Sequence, residues 1–215
     1  MNHPHLERRH FLTAALALGA SSLARPLWAQ TTGQEFILLN PAQPTESAGK
    51  IEVLEFFSYG CPHCADFNPL LNLWADKLPA DVVLKKVPVS FGRAAWGNAA
   101  KLYYALQTTG DLQRLENKVF QAIHKDRTNL FEEKSIKSWV AANGVDARKF
   151  ADAFSSFGVQ SKVRRGDQLA HAYKIEGVPA LAVNGKYLIG TLQFEQQLAV
   201  ADKLIAQERR TTGNK

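Results

Sequence analysis

The spacing of apolar residues changes twice along this chain, and the changes divide it into three stretches. Ile51-Glu52-Val53-Leu54-Glu55-Phe56-Phe57 is almost continuously apolar and aromatic, the pattern of a strand covered on both faces. Ser58-Tyr59-Gly60 ends it, and from Cys61 the apolar residues Phe67, Leu71, Trp74 and Leu78 recur at steps of three and four. That spacing predicts an amphipathic helix, closed by Leu78-Pro79. Residues 82–89, Val-Val-Leu-Lys-Lys-Val-Pro-Val, restore the strand pattern. Strand, helix, strand is a βαβ unit, and its crossover should be right-handed. Ahead of it, Phe36-Ile37-Leu38-Leu39 predicts a short edge strand ended by Asn40-Pro41.

From residue 93 to 174 the strand pattern is gone. Trp96, Ala99, Ala100, Tyr103 and Tyr104 share a helical face, as do Leu112, Leu115, Val119 and Ile123, then Ile136, Trp139 and Val140. Two more helices are expected over residues 147–154 and 159–173, parted at Gly158. A stretch this long is not a loop, so it reads as a helical subdomain set into the βαβ chain. The sheet then resumes. Residues 179–183 and 186–189 flank Asn184-Gly185, the strongest short-range hairpin signal. Phe194, Leu198, Ala201 and Ile205 mark a last helix that should fray from Arg209. The expected organisation is α/β. Residues 30–92 and 175–210 are the two parts of one domain, residues 93–174 the helical insertion, and residues 211–215 a tail.

Residues 1–29 stand outside this pattern. Arg8-Arg9 precedes an apolar run from Phe11 to Ala20, and Leu27-Trp28-Ala29 offers a small residue for cleavage. This is the layout of a signal peptide, with an arginine pair of the twin-arginine kind, and the apolar run is too short to span a bilayer comfortably. Its removal leads to an exported protein. At 215 residues with 46% hydrophobic and 21% charged content, the chain has the composition of an ordinary globular protein. The formal charge of +6 falls to +4 once Arg8, Arg9, Arg25 and Glu7 are removed. Without a clustered basic face this does not indicate nucleic-acid binding.

The chemistry concentrates in Cys61-Pro62-His63-Cys64, the only two cysteines of the chain. A bridge closing so few residues constrains the unfolded chain little, so reactivity explains the pair better than stability does. Cys61 falls at the start of the predicted helix, where unpaired N–H groups and the helix dipole favour a thiolate. Cys64 falls about one turn further in. His63 can add donors or positive charge, while Pro62 pre-sets φ and removes a donor. A Cys61 pKa of about 4.5, for example, would stabilise the reduced protein at pH 7 by about 3.4 kcal/mol and raise its potential by roughly 70 mV. Half of a zinc site is the competing use of two close cysteines, with His63, His124 and His171 as further candidate ligands. Glu55 also stands out as an acid inside an apolar strand. Either it handles protons near the pair, or it marks the strand's end with Glu52 and faces solvent.

Val53-Leu54-Glu55-Phe56-Phe57-Ser58 followed by Cys61-Pro62-His63-Cys64 resembles the active-site region of the DsbA family of bacterial periplasmic dithiol oxidases. Gly177-Val178-Pro179-Ala180 and Val183-Asn184-Gly185-Lys186-Tyr187 resemble its second signature. The resemblance implies a thioredoxin-like fold interrupted by a helical subdomain. It also implies a monomeric periplasmic enzyme that gives its Cys61–Cys64 disulfide to reduced, newly exported proteins, with no bound cofactor. A quinone-linked inner-membrane protein of the DsbB type would reoxidise it. Carried onto this chain, Cys61 is the nucleophile, Cys64 the resolving thiol and Pro179 a cis proline facing the pair. Val178 would present its backbone to substrate, and Glu55 would be a buried acid paired with Lys86. On the residues alone, Pro179 reads as a trans proline entering an edge strand. The chain departs from the family pattern at Asn68, where the pattern has a further acid. Tyr59, Trp96 and Tyr173 are aromatic candidates for a substrate groove or for core. A disulfide reductase or isomerase, a thiol-based metal-binding protein and a peptide-binding chaperone are the alternative functions.

Overall fold

The computed structural model describes residues 35–212 except Thr191; the expected signal peptide, residues 1–29, lies outside them. Five strands form one sheet in the order β1-β5-β4-β2-β3. They are β1 (Phe36–Leu38), β2 (Ile51–Phe57), β3 (Val82–Pro88), β4 (Ala180–Val183) and β5 (Tyr187–Ile189). β2 and β3 are parallel, and the remaining neighbours are antiparallel. Helix α1 (Pro62–Ala75) links the parallel pair. Between β3 and β4 come α2 (Ala94–Thr109), α3 (Leu112–His124), α4 (Glu133–Ala142), α5 (Ala147–Ser155) and α6 (Phe157–Ala172), and α7 (Phe194–Thr212) ends the described chain. Among the described residues no helix is long and apolar enough to cross a membrane.

β2 is buried along its whole length, and strand alternation sends its residues to two different layers. Val53 packs with Phe67 and Leu71 of α1 and with Val200, Ala201 and Leu204 of α7. Leu54 and Phe56 pack instead with Val87, Ala170 and Tyr173, the layer formed by α6. Phe57 continues into the core of the helical region, where it meets Tyr59, Tyr103 and Phe120 edge-on or tilted. α6 approaches β3 so closely that a Cβ on Gly166 would lie 2.7 Å from the Pro88 carbonyl oxygen.

The local readings need four adjustments. α1 stops at Ala75, ahead of Leu78-Pro79. The break between α5 and α6 falls at Ser156, whose hydroxyl accepts from the Val159 N–H, and Gly158 lies inside α6. A capping hydroxyl ends the preceding turn more decisively than glycine's low helix propensity does. In the hairpin, Val183 pairs with Tyr187, so the loop takes in residues 184–186. Its backbone has positive φ at both Asn184 and Gly185. Finally, α7 continues past Arg209, whose guanidinium forms a two-pronged pair with Asp81.

Candidate active site

The strand-to-helix junction builds the first half of the site. β2 ends at Phe57, and the N–H of Cys61 folds back to donate to the Ser58 carbonyl at 3.0 Å. Cys61 occupies the N-cap of α1 with an extended backbone, and Pro62 fills the first helical position, where no N–H is needed. No side chain caps this helix, so its first N–H groups face the Cys61 sulfur. Gly60 must remain without a side chain, because a Cβ there would lie 2.6 Å from Nε1 of Trp96.

Both sulfurs are thiols in this structure, the reduced form of the pair. Their environments are opposite. The Cys61 thiol is pushed down to about 6, chiefly because the Cys64 thiol donates to it. The N–H groups of Cys64 and His63 and the His63 charge help, against the opposing effect of burial. The Cys64 thiol is fully buried and pushed far up, first by burial and then by that same hydrogen bond. One sulfur is therefore an anion at neutral pH and the other keeps its proton. His63 itself is exposed.

The second half comes from the segment before β4. The Val178–Pro179 peptide bond is cis, and the Cys61 thiol donates to the Val178 carbonyl at 3.3 Å. As a thiolate Cys61 has no proton to give there, and that carbonyl becomes an acceptor without its partner. Val178 and Pro179 line a groove of about 590 Å³ together with His63, Ile175, Leu192 and Phe194. A partly apolar channel thus runs beside the reactive sulfur.

Behind Cys64 lies a polar cluster enclosed in the fold. Glu55 in β2 stands opposite Lys86 in β3 in the parallel register. Both face the α1 layer, one residue out of phase with Leu54 and Val87. Burial pushes the Glu55 carboxyl up to about 7, against the pull of Lys86 and with help from the Glu116 charge. Lys86 Nζ lies 3.9 Å from Glu55 Oε2 and donates to Asn68 Oδ1 (2.7 Å), Asn72 Oδ1 (2.8 Å) and Glu116 Oε1 (2.9 Å). Glu55 Oε2 is buried and has no hydrogen-bond partner among the described residues. Cys64, Asn68 and Asn72 follow one another at four-residue steps along α1, so the cluster continues the same helix face inward.

The sequence reading leaves out Asn72, Glu116 and Asn117, and considers His124 only as a metal ligand. Asn117 accepts from Asn68 Nδ2 at 2.6 Å, and His124 Nε2 lies 2.8 Å from the Tyr59 carbonyl. A signal for Glu116 exists, since it falls on the stripe of Leu112, Leu115, Val119 and Phe120, an acid on an apolar helix face. Tyr59 and Tyr173 are core, each almost wholly buried, whereas Trp96 is half-buried against Gly60. His124 is committed to Tyr59 and His171 is exposed. Among the described residues no three His, Cys, Asp or Glu side chains gather as a metal site would require.

Comparison with known proteins gives a consistent result. The family model described as DSBA-like thioredoxin domain matches residues 52–200. The thiol:disulfide interchange protein DsbA of Bordetella pertussis is 44% identical over 205 residues, covering 93% of this chain and 96% of that protein. Its namesake in Pseudomonas aeruginosa is 38% identical over 206 residues, covering 94% and 97%. Among solved structures, the crystal structure of Pseudomonas aeruginosa DsbA superposes with a TM-score of 0.80 at 37% identity, covering 84% of this chain and 95% of that one. The oxidoreductase DsbA from Xylella fastidiosa gives 0.78 at 30% identity, covering 83% and 97%.

Proposed function

This chain belongs to the DSBA-like thioredoxin family and is a thiol:disulfide oxidoreductase, and we propose that it donates the Cys61–Cys64 disulfide to reduced proteins newly delivered to the periplasm. The observation that carries this reading is the asymmetry of the two sulfurs, one held down to about 6 and the other pushed far up.

In the oxidised protein a substrate thiolate attacks the Cys61 sulfur. A substrate–Cys61 bond forms, the Cys61–Cys64 bond breaks, and the electron pair leaves on Cys64, which takes a proton. A second substrate thiolate then attacks the first substrate sulfur, and Cys61 departs as a thiolate. The substrate has lost two electrons and two protons, of which one proton is on Cys64 and the other in water, and the enzyme is left reduced with Cys61 as a thiolate. The step runs forward because the leaving sulfur is stable as an anion near neutrality. His63 and the helix start stabilise that anion, and Pro62 sets the helix entry.

Val178 offers its backbone to an extended stretch of substrate, with Pro179 holding that edge beside Cys61. The adjoining groove takes apolar side chains. Backbone pairing with few sequence demands suits an enzyme with many clients. Glu55, beside Lys86, exchanges the Cys64 proton, since a carboxyl near 7 can give or take one at working pH. The electrons rest on the sulfur pair, with no further cofactor. A quinone-linked inner-membrane protein of the DsbB type removes them, and the enzyme acts as a monomer. Residues 1–29 direct export and are removed, and residues 93–174 form the inserted helical subdomain.

Thiolate absorbance of the reduced protein against pH, paired with the equilibrium constant against glutathione, tests the reading. Cys61 should titrate near 6, and the dithiol should be favoured at pH 7, as an oxidase requires. Titration in the ordinary thiol range near 8.5, with a disulfide that glutathione does not reduce, would mean a reductase instead. Cys61→Ser should abolish oxidation of a reduced test protein and leave peptide binding intact.

A further inference from the structure

The proton that Cys64 takes up and releases has to reach water, and the substrate side offers no path while substrate is attached. Cys64 and Glu55 are buried almost completely, and Cys61 is covered by its partner in the mixed disulfide. A second opening exists. A groove of about 870 Å³ is lined by Lys86, Glu116, Asn72 and Tyr103, and it shares no lining residue with the groove beside Pro179. Lys86 and Glu116 are only 11% and 12% exposed, so the cluster touches this groove through a narrow contact.

The ammonium of Lys86 has three hydrogens, and all three are taken, by Asn68, Asn72 and Glu116. None is left for Glu55, which stands 3.9 Å away with a bare oxygen. Glu116 is thus the carboxylate that holds the third donor, and the two acids compete for it. We propose that Glu116, at the edge of the 870 Å³ groove, sets the proton exchange between Cys64 and Glu55: by keeping the third Lys86 donor it leaves Glu55 free to carry the proton. This deepens the proposed oxidase function and rests on it. Glu116 acts through Lys86 and is a positioning residue. The groups that bear on Glu55 are Lys86 from β3, Glu116 from α3 and Cys64 from α1. Tyr59 beyond β2 and Tyr103 from α2 complete them. Both tyrosines keep their protons, because burial raises them well above their ordinary value. The group that exchanges the proton is therefore Glu55, and the upward push of the Glu116 charge on it agrees with the competition for Lys86.

The step to observe is the attack of Cys64 on a Cys61–glutathione mixed disulfide. The Cys64–Cys61 bond forms, the Cys61–glutathione bond breaks, glutathione leaves as thiolate, and the Cys64 proton goes to Glu55. In Glu116→Leu, which leaves no acceptor at that position, the freed Lys86 donor turns to Glu55 and holds it as a carboxylate. The rate–pH profile should then move toward acid by about half a pH unit to one unit, and the plateau should fall about threefold to tenfold, because a clamped carboxylate is a weaker base. The Cys61 thiolate titration should stay at its wild-type midpoint. A profile that is unmoved, or displaced toward alkali, overturns the proposal.

Carbon-13 spectra of the glutamate carboxyls in the wild-type protein give a second measurement, independent of any variant. Glu55 should titrate near 7. A Glu55 that is ionised across the whole range would remove the proton carrier whose freedom Glu116 is proposed to keep. Failure of the wild type to form any glutathione adduct at Cys61 would sink the oxidase reading instead, so the two failures are distinct.

Discussion

β2 and β3 carry two buried carboxylates with lysine partners, and the two are built for different ends. Glu52 and Glu55 sit three residues apart on β2, so strand alternation sends them to opposite faces. On one face Glu52 Oε2 collects the Ser47 hydroxyl at 2.7 Å, the Glu46 N–H at 3.2 Å and the Lys85 ammonium at 2.8 Å. On the other, Glu55 Oε2 collects nothing, and its lysine is 3.9 Å away and bonded elsewhere. A saturated carboxylate tethers the strand to the chain before it. An unsatisfied one keeps a protonation state that can change, which a structural anchor has no use for. The contrast shows why burial alone does not identify a functional acid: the partner inventory does.

Four measurements test the contrast, from the largest effect downward. Glu52→Ala should cost about 4 kcal/mol in urea unfolding, since it leaves two donors without their acceptor and Lys85 with only the more distant Glu46, while the pH profile of the Cys64 step stays where it was. If the profile moved and stability did not, the two acids would have been assigned the wrong way round. Glu55 should instead govern stability through pH. Its carboxyl is raised from 4.5 to about 7 in the fold, so the folded protein holds a proton that the unfolded chain has released. The stabilisation is complete below pH 4.5 and is lost as pH rises through 7, a fall of about 3 kcal/mol. Unfolding of the reduced protein at pH 4.5 and pH 8 should show this fall, and Glu55→Gln should flatten it. A wild-type curve without that fall would mean that Glu55 is ionised throughout.

In kinetics, Glu55→Gln should slow resolution of the glutathione adduct about a hundredfold, equivalent to about 2.7 kcal/mol, at the lower end of what a positioned acid–base group contributes. Stopped-flow of the adduct reads this directly, and a loss below threefold would retire the proton role. The smallest effect is expected from Lys86→Met. Removing the cation should push Glu55 further up and displace the same profile toward alkali by about one pH unit, the direction opposite to that of Glu116→Leu. Equal directions in the two variants would break the competition between the glutamates.

Much of the architecture could be read from apolar spacing because each element of the βαβ unit buries a face of its own. The cysteine pair was visible for a similar reason, being the only two sulfhydryls and lying at a strand-to-helix junction. Glu55 drew attention as an acid in an apolar strand, but Glu52 carries the same local signal, and no one-dimensional pattern tells the two apart. What separates them is contributed by chain outside the strand: Ser47 and Glu46 just ahead of it for one, Asn68, Asn72 and Glu116 well after it for the other. The Lys86–Glu116 contact depends on how α3 settles against α1 and β3, a packing outcome that periodicity does not encode. The misplaced helix break has a local cause, since Ser156 outweighs Gly158 through one hydrogen bond.

α3 makes two attachments to the catalytic half of the molecule, one near its middle and one at its end. Glu116 and Asn117 hold Lys86 and Asn68, and His124 meets the Tyr59 carbonyl, two residues ahead of Cys61. A helix of 13 residues is a stiff rod of about 20 Å. Tilting that rod would tug on the backbone leading to the nucleophile and on the charges behind its partner in one movement. A client wedged against the helical half would therefore reach both sulfurs at once, without touching the second.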